Sequence, residues 1–385
     1  MTFHPHRTLS LAVTALCAAL LSACAVSPPT APSAPPPQPE AASGSTAKPG
    51  WATRRYAVAA ANPLATDAGR QVLAAGGSAV DAAIAVQMVL SLVEPQSSGI
   101  GGGAFLLHFN GTTTQAFDGR ETAPAAATPA LFLDASGQAM KFADAVVGGR
   151  SVGVPGAVAM LAQAHALHGK LPWAQLFQPA INLANQGFAI SPRMAALLAA
   201  DPHLKKDPVA AAYFYDAAGK PWPAGHVLRN PELAAVLQGI ATRGPSALLR
   251  GEVGEAIARK VQGHPTNPGS LSTRDLATYR PLVREPLCFD YDTAPRPVRI
   301  CGMPPPSSGG VSLIEMMNLM EQADLQKIEF NSTAYVHLVA EAMRRAFADR
   351  AEHLGDPDFN PEMPLDKLTS KEFAKKRFEN IDLKK

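Results

Sequence analysis

A short polar segment, residues 118–124 with the sequence DGRETAP, places an arginine between two carboxylates. The planar guanidinium of Arg120 is suited to binding a substrate carboxylate, because it can form two parallel charge-assisted hydrogen bonds with it. The segment follows a predicted strand, and binding residues often lie in loops at such positions. From residue types alone, an ion pair with Asp118 or Glu121 is the commoner role for this arginine, so both roles stay open.

A glycine cluster in residues 99–104 (GIGGGA) matches the spacing of a dinucleotide-binding loop. Such a loop needs a strand before it and a helix after it, so that the helix N-terminus faces the pyrophosphate. Here an apolar helix precedes the glycines and a strand follows them. We therefore expect no nucleotide site and interpret the glycines as a close approach of backbone segments.

A proline-rich segment, residues 304–310 with the sequence PPPSSGG, predicts a rigid turn before a helix. A serine nucleophile in this segment would need a neighbouring general base, and the sequence identifies none. We therefore expect a structural role for it.

A charged helix is predicted over residues 335–350, where Glu341, Arg345 and Asp349 are spaced four apart. Side chains at this spacing face the same side of a helix, so they predict a ladder of salt bridges. We expect the helix to pack against the body of the protein.

The elements that would position these segments are strands near the two ends and helices between them. An apolar helix is predicted from Ser78 to about Leu92, opened by a capping box in which Asp81 is the third helical residue. Short strands are predicted at 56–60, 104–109 and 115–118, and Asn110-Gly111 predicts a two-residue hairpin turn between the last two. Paired strands are predicted at 284–290 and 297–301, and helices at 311–320 and 333–347. This order indicates a layered body that mixes helices and sheets.

The composition limits the classes of protein that this chain can belong to. Its 385 residues are 47% hydrophobic, which is enough for a large core, and its formal net charge is +2. A nucleic-acid-binding protein would carry a concentrated basic face, so we expect no nucleic acid as a partner. No two cysteines have the C-x-x-C spacing of a zinc site, so we expect no metal.

The first residues are typical of a lipoprotein export signal. An apolar run from Leu9 to Leu21 is too short to span a membrane comfortably, and it ends in the sequence LSAC at Cys24. Residues 1–23 are therefore predicted to be a signal peptide, with Cys24 as the site of lipid attachment. Residues 24–50 are rich in proline, alanine and serine and predict an extended tether. The remaining residues, 51–385, are predicted to form the globular body.

A disulfide is predicted between Cys288 and Cys301, the two cysteines that lie beyond the signal and Cys24. They lie in strand-like segments joined by a turn, so pairing across a hairpin would bring them together. Export would supply the oxidising compartment that such a bond requires.

Several of these segments together resemble the large subunit of γ-glutamyltranspeptidases. The similar segments follow one another in unbroken order between Tyr56 and Phe359, and they are residues 62–66, 76–83, 99–103, 118–124, 154–156, 303–310, 348–350 and 354–359. A single segment of this kind is a weak signal, but seven or more in register are specific.

The resemblance implies the α+β fold of the N-terminal-nucleophile hydrolases, a four-layer αββα sandwich. In this family a precursor cuts itself into two subunits, and the new N-terminal Thr of the small subunit attacks the γ-glutamyl amide of glutathione and related donors. The acyl group then passes to water, an amino acid or a dipeptide. Arg120 matches the arginine of the family that binds the α-carboxylate of the donor. The partners implied are a small subunit and a γ-glutamyl donor, and no metal or organic cofactor is implied.

The resemblance covers the large subunit only, so the fold is expected to be incomplete without the small one. The 385 residues reach Lys385 before the position at which the family places its nucleophilic Thr, so no catalytic nucleophile is expected in this chain, which is predicted to be inactive alone. A cephalosporin or glutaryl acylase of the same superfamily is one alternative. A non-catalytic lipoprotein that retains an enzyme scaffold is another. The predicted location is the bacterial envelope, anchored to the outer membrane and facing the periplasm.

Overall fold

The computed structural model describes residues 50, 52–291 and 296–383. The predicted signal peptide, Cys24 and the tether up to residue 49 lie outside the described residues, so these three remain predictions. Within the described ranges, no helix is both long and apolar enough to cross a membrane.

Helices make up most of the regular structure. Short 3₁₀ turns occur at Trp173–Phe177, Leu204–Lys206 and Leu325–Lys327. The α-helices, in chain order, are α1 (Pro63–Ala74), α2 (Ala79–Val93), α3 (Phe142–Val146), α4 (Ala157–His168), α5 (Gln178–Gln186), α6 (Pro192–Ala200), α7 (Pro208–Phe214), α8 (Pro231–Arg243), α9 (Ser246–Leu249), α10 (Gly251–Gln262), α11 (Thr273–Thr278), α12 (Gly309–Met320), α13 (Thr333–His353), α14 (Leu365–Leu368) and α15 (Lys371–Phe378).

The described strands form three small antiparallel sheets. One has the order β1-β2-β5, the second pairs β3 with β4, and the third pairs β6 with β7. The strands are β1 (Ala104–Phe109), β2 (Thr114–Gly119), β3 (Phe188–Ala189), β4 (Val227–Leu228), β5 (Leu282–Arg284), β6 (Leu287–Tyr291) and β7 (Val298–Gly302). This mixture confirms the expected α+β class. The strand predicted at 56–60 is wrong, because that segment is irregular.

The turn between β1 and β2 differs from the predicted two-residue hairpin. Phe109 pairs with Thr114, so the loop has four residues and runs from Asn110 to Thr113. The Asn110 side-chain oxygen accepts hydrogen bonds from the backbone N–H groups of Thr112 (2.9 Å) and Thr113 (2.8 Å). This side chain accepts hydrogen bonds from N–H groups that a two-residue turn would have paired across the strands. The local sequence pattern therefore predicted the wrong turn.

Helix α2 is the centre of the main core, as its apolar sequence predicted. Ser78 and Asp81 form the predicted capping box, and most of the helix is buried. Asp81 is fully buried, and its carboxylate also accepts the backbone N–H groups of Lys170 (2.9 Å) and Leu171 (3.0 Å). One residue therefore starts the helix and ties down the chain after α4.

A smaller core forms where α12, α13 and α15 meet, around buried residues such as Leu319 and Leu338. The predicted charge ladder on α13 is half right. Glu341 pairs with Arg344 and Arg345, as helical spacing allows. Asp349 does not extend the ladder, because it pairs with Arg377 of α15 instead.

The hairpin of β6 and β7 contains the two cysteines predicted to pair. Cys288 and Cys301 lie directly opposite each other, with Cα atoms 4.1 Å apart, and the structure joins them by a disulfide. The strands pair much as predicted, although Arg284 belongs to β5 and lies beside β2.

Candidate functional site

Arg120 is the first residue after β2, at the edge of the three-stranded sheet. Its side chain is 59% exposed, and its nearest described carboxylate contact is to Glu121, 3.7 Å from Nε to Oε2. That distance is longer than a hydrogen bond, so the guanidinium is not held in a tight ion pair. The group lies 5.9 Å from the centre of the Phe105 ring, which gives it an aromatic neighbour. Its fork therefore remains open to an acidic ligand.

Asp118 holds the backbone of the loop and not the Arg120 side chain. Its carboxylate is buried, and one oxygen accepts the backbone N–H of Arg120 at 2.9 Å. The other oxygen accepts Nε of Arg284 at 2.6 Å, from strand β5. The ion pair with Asp118 that residue types suggested for Arg120 is therefore formed by Arg284, whose place beside β2 has no local signal in the sequence.

Glu121 fixes the glycine segment to the same loop. Its Oε1 accepts the backbone N–H of Gly103 at 2.7 Å. A Cβ atom on Gly103 would lie 2.5 Å from the Glu121 carboxylate, so a side chain has no room there. The carbonyl of Gly102 accepts the N–H groups of Gly156 and Ala157, both at 3.1 Å, at the start of α4. At Gly103 the glycine segment therefore approaches the loop at Glu121 closely, as the glycines led us to expect.

Tyr279 is a residue of the site that sequence reasoning missed. Its hydroxyl donates a hydrogen bond to the backbone carbonyl of Arg120 at 2.8 Å, although the two lie 159 positions apart in the sequence. Burial raises the pKa of Tyr279, and the nearby carboxylates of Asp118 and Glu121 raise it further, so the hydroxyl keeps its proton. A Cβ on Gly156 would lie 2.0 Å from this hydroxyl, which explains the glycine after Pro155.

The serines of residues 304–310 make contacts that suit a turn and a helix start. The hydroxyl of Ser307 accepts the N–H of Gly309 at 3.2 Å, and that of Ser308 accepts Nε of Arg350 at 2.8 Å. Neither of these contacts supplies a general base. They favour the structural interpretation of this segment.

A cavity of about 260 Å³ lies next to the site and is lined in part by Ala159, Leu276 and Tyr279. Arg120 is not among its lining residues. Substrate pockets normally surround most of their ligand, so a substrate bound at Arg120 would need pocket walls supplied from elsewhere.

Comparisons with known proteins find similar sequences over most of the chain. The family model described as γ-glutamyltranspeptidase matches residues 65–385. The chain is 37% identical to the glutathione hydrolase proenzyme of Bacillus subtilis over 328 residues, covering 85% of this chain and 54% of that protein. It is 38% identical to the acylase ACY 1 proenzyme of a Pseudomonas species over 357 residues, covering 91% of this chain and 62% of that protein. The chain thus spans little more than half the length of these relatives.

A solved structure shows the same fold. The Helicobacter pylori γ-glutamyltranspeptidase aligns with a TM-score of 0.81 and 36% identity, covering 87% of this chain and 94% of that chain. The match confirms the expected N-terminal-nucleophile hydrolase fold. Since the family model covers most of the sequence and the similarity extends to the structure, the chain belongs to the γ-glutamyltranspeptidase family.

Proposed function

We propose that this chain is the large-subunit part of an enzyme that transfers the γ-glutamyl group of glutathione and related donors to water, amino acids or dipeptides. The supporting observation is Arg120, whose backbone is held on both sides while its guanidinium remains exposed. In the proposed reaction, a Thr at the N-terminus of the small subunit attacks the γ-amide, and its own α-amine serves as the base.

Arg120 would bind the α-carboxylate, which is at the opposite end of the glutamyl group from the reacting amide. Fixing that end positions the amide against the Thr hydroxyl, and such positioning can account for a large part of a rate enhancement. The proposal needs a second subunit to supply the nucleophile and the remaining walls. The coverage supports this division, because the chain matches 94% of one chain of the H. pylori structure but 54% of the B. subtilis proenzyme.

The test joins this chain to a Thr-initiated small-subunit part and assays three p-nitroanilide donors. The γ-glutamyl donor has both the α-amine and the α-carboxylate, the glutaryl donor lacks the amine, and the 4-aminobutyryl donor lacks the carboxylate. We expect self-cleavage into two subunits, followed by the fastest release of p-nitroaniline from the γ-glutamyl donor. Self-cleavage without turnover of any of the three donors would contradict the proposal.

The similarity to acylase ACY 1 favours a second candidate function, the hydrolysis of glutaryl or cephalosporin side chains. A glutaryl group keeps a carboxylate that Arg120 could bind, so the loop geometry suits both activities. Faster turnover of the glutaryl donor than of the γ-glutamyl donor would support the acylase. A chain that neither cleaves itself nor turns over any donor would instead support a non-catalytic lipoprotein.

We also propose that the protein is exported and anchored by a lipid on Cys24 to the outer membrane, facing the periplasm. The support is the LSAC sequence that ends the apolar run, followed by the proline-rich tether. Residues 25 and 26 are Ala and Val, and the absence of an acidic residue there favours outer-membrane sorting.

A further inference from the structure

We infer that Tyr279 is a positioning residue for Arg120 and thereby strengthens the preference of the site for donors with an α-carboxylate. The inference rests on the proposed function. It adds a residue whose hydroxyl bonds to the backbone carbonyl of Arg120 and not to the Arg120 side chain.

Both polar backbone groups of Arg120, its N–H and its carbonyl, are hydrogen-bonded to side chains. The N–H donates to Asp118 Oδ1 at 2.9 Å, and the carbonyl accepts the Tyr279 hydroxyl at 2.8 Å. Asp118 is in turn held by Arg284, five residues beyond Tyr279. The segment from 279 to 284 therefore braces the loop at two points.

Tyr279 is itself firmly placed. The residue is only 7% exposed and lies between α11 and β5. Its hydroxyl passes over Gly156, where a Cβ atom would lie 2.0 Å away, so the backbone just before α4 limits its movement. Because burial raises the pKa of Tyr279, the hydroxyl remains a donor throughout the neutral range.

The Arg120 side chain has no comparable restraint among the contacts described for it. Its carboxylate contact with Glu121 is 3.7 Å and its aromatic neighbour is 5.9 Å away, both too distant to fix the fork. The direction of the guanidinium therefore depends on the backbone from which it extends. Loss of the Tyr279 hydroxyl frees the carbonyl of Arg120, and small displacements of a positioning group lower catalytic rates disproportionately.

The experiment compares Tyr279→Phe with Tyr215→Phe in this chain joined to a Thr-initiated small-subunit part. Tyr215 is a matched control, because its buried hydroxyl also donates to a backbone carbonyl, that of Leu198 at 3.1 Å, and not to that of Arg120. We expect Tyr279→Phe to lower kcat/KM for the γ-glutamyl donor about 5- to 10-fold, the size of one neutral hydrogen bond. The 4-aminobutyryl donor should change less than about twofold, and the control should affect both donors equally.

A double variant separates positioning from general support of the fold. In an Arg120→Ala background, Tyr279→Phe should cause no further donor-specific loss, because nothing remains to be positioned. Equal losses on both donors, or a full additional loss in the Arg120→Ala background, would overturn the inference. Thermal unfolding of both Tyr variants shows whether they fold equally well.

The outcomes for the two proposals differ. If the joined protein turns over none of the donors, the proposed function fails and the inference fails with it. If the wild type prefers the γ-glutamyl donor through Arg120 but Tyr279→Phe behaves like Tyr215→Phe, only the role of Tyr279 is overturned.

Discussion

Arg377 Nη2 lies 2.6 Å from one carboxylate oxygen of Asp349 and 2.7 Å from the other, which ties α15 to α13. Glu315 of α12 is buried beside this pair, with only 3% of its surface exposed. Burial, the neighbouring Asp349 carboxylate and a hydrogen bond to it together raise the pKa of Glu315 to about 8, against a smaller opposing effect of Arg377. Glu315 is therefore a neutral acid next to an ion pair at neutral pH.

This arrangement predicts a stability that depends on pH. The ordinary pKa of a glutamate is near 4.5, which applies to the unfolded chain, and the folded value is higher. The contribution of Glu315 to the free energy of unfolding is thus complete below about pH 4.5 and is lost as the pH rises through about 8. We expect the free energy of unfolding to fall over this window by a few kcal/mol, at about 1.36 kcal/mol per pKa unit.

The variant Glu315→Gln, which is neutral at every pH, should flatten most of this slope in urea unfolding experiments. Glu341→Gln is a suitable control, since Arg344 and Arg345 lower the pKa of Glu341 to about 2, well outside the window. Identical slopes for wild type and Glu315→Gln would show that the carboxyl titrates normally.

Arg120→Lys should not behave as a conservative change. Lysine keeps the charge but loses the two-pronged geometry, so kcat/KM for the γ-glutamyl donor should fall at least ~10-fold. The 4-aminobutyryl donor has no α-carboxylate and should lose much less. Self-cleavage is verified first, and Arg259→Lys, at an exposed arginine 3.5 Å from Glu255, is the control. An equal loss on both donors would indicate that Arg120 supports structure only.

The Cys288–Cys301 bond should be present in the exported protein. Mass spectrometry after alkylation without a reductant should find neither of these thiols modified. Replacing both cysteines by alanine should lower the free energy of unfolding by about 3 kcal/mol in the chain-entropy model, since they lie 13 positions apart in the sequence. Two alkylated thiols in the unreduced protein would refute the pairing.

Cys24→Ala should release the protein from the membrane. Wild type is expected to partition into the detergent phase and the variant into the aqueous, periplasmic fraction, because the lipid would have no thiol to join. The control is the double variant Cys288→Ala/Cys301→Ala, which removes both cysteines of the disulfide without leaving a free thiol and should leave partitioning unchanged. The prediction fails if Cys24→Ala partitions as wild type does.

Local features of the fold were predictable from sequence because their partners are close in the chain. The capping box of Ser78 and Asp81 is an example, since both of its hydrogen bonds lie within one helical turn. The hairpin at Asn110 was mispredicted because the same side chain satisfies a wider loop.

Contacts between distant segments could not be predicted in this way. The bond from Tyr279 to Arg120 and the pair of Asp349 with Arg377 depend on how whole helices and strands pack. Residue types left two roles open for Arg120. The resemblance favoured ligand binding. The structure shows that Arg284 takes the ion pair with Asp118, while Arg120 keeps only a loose contact of 3.7 Å with Glu121.

The hydrogen bonds that hold the loop are made to the backbone N–H and carbonyl of residue 120, so none of them requires a guanidinium. The chain path is therefore independent of the side chain that it carries at this position. A substitution there would change the side chain that the loop presents, while the backbone of the loop stays in place. On the proposed function, variants at residue 120 are therefore the ones to assay with acyl groups that have uncharged or cationic ends.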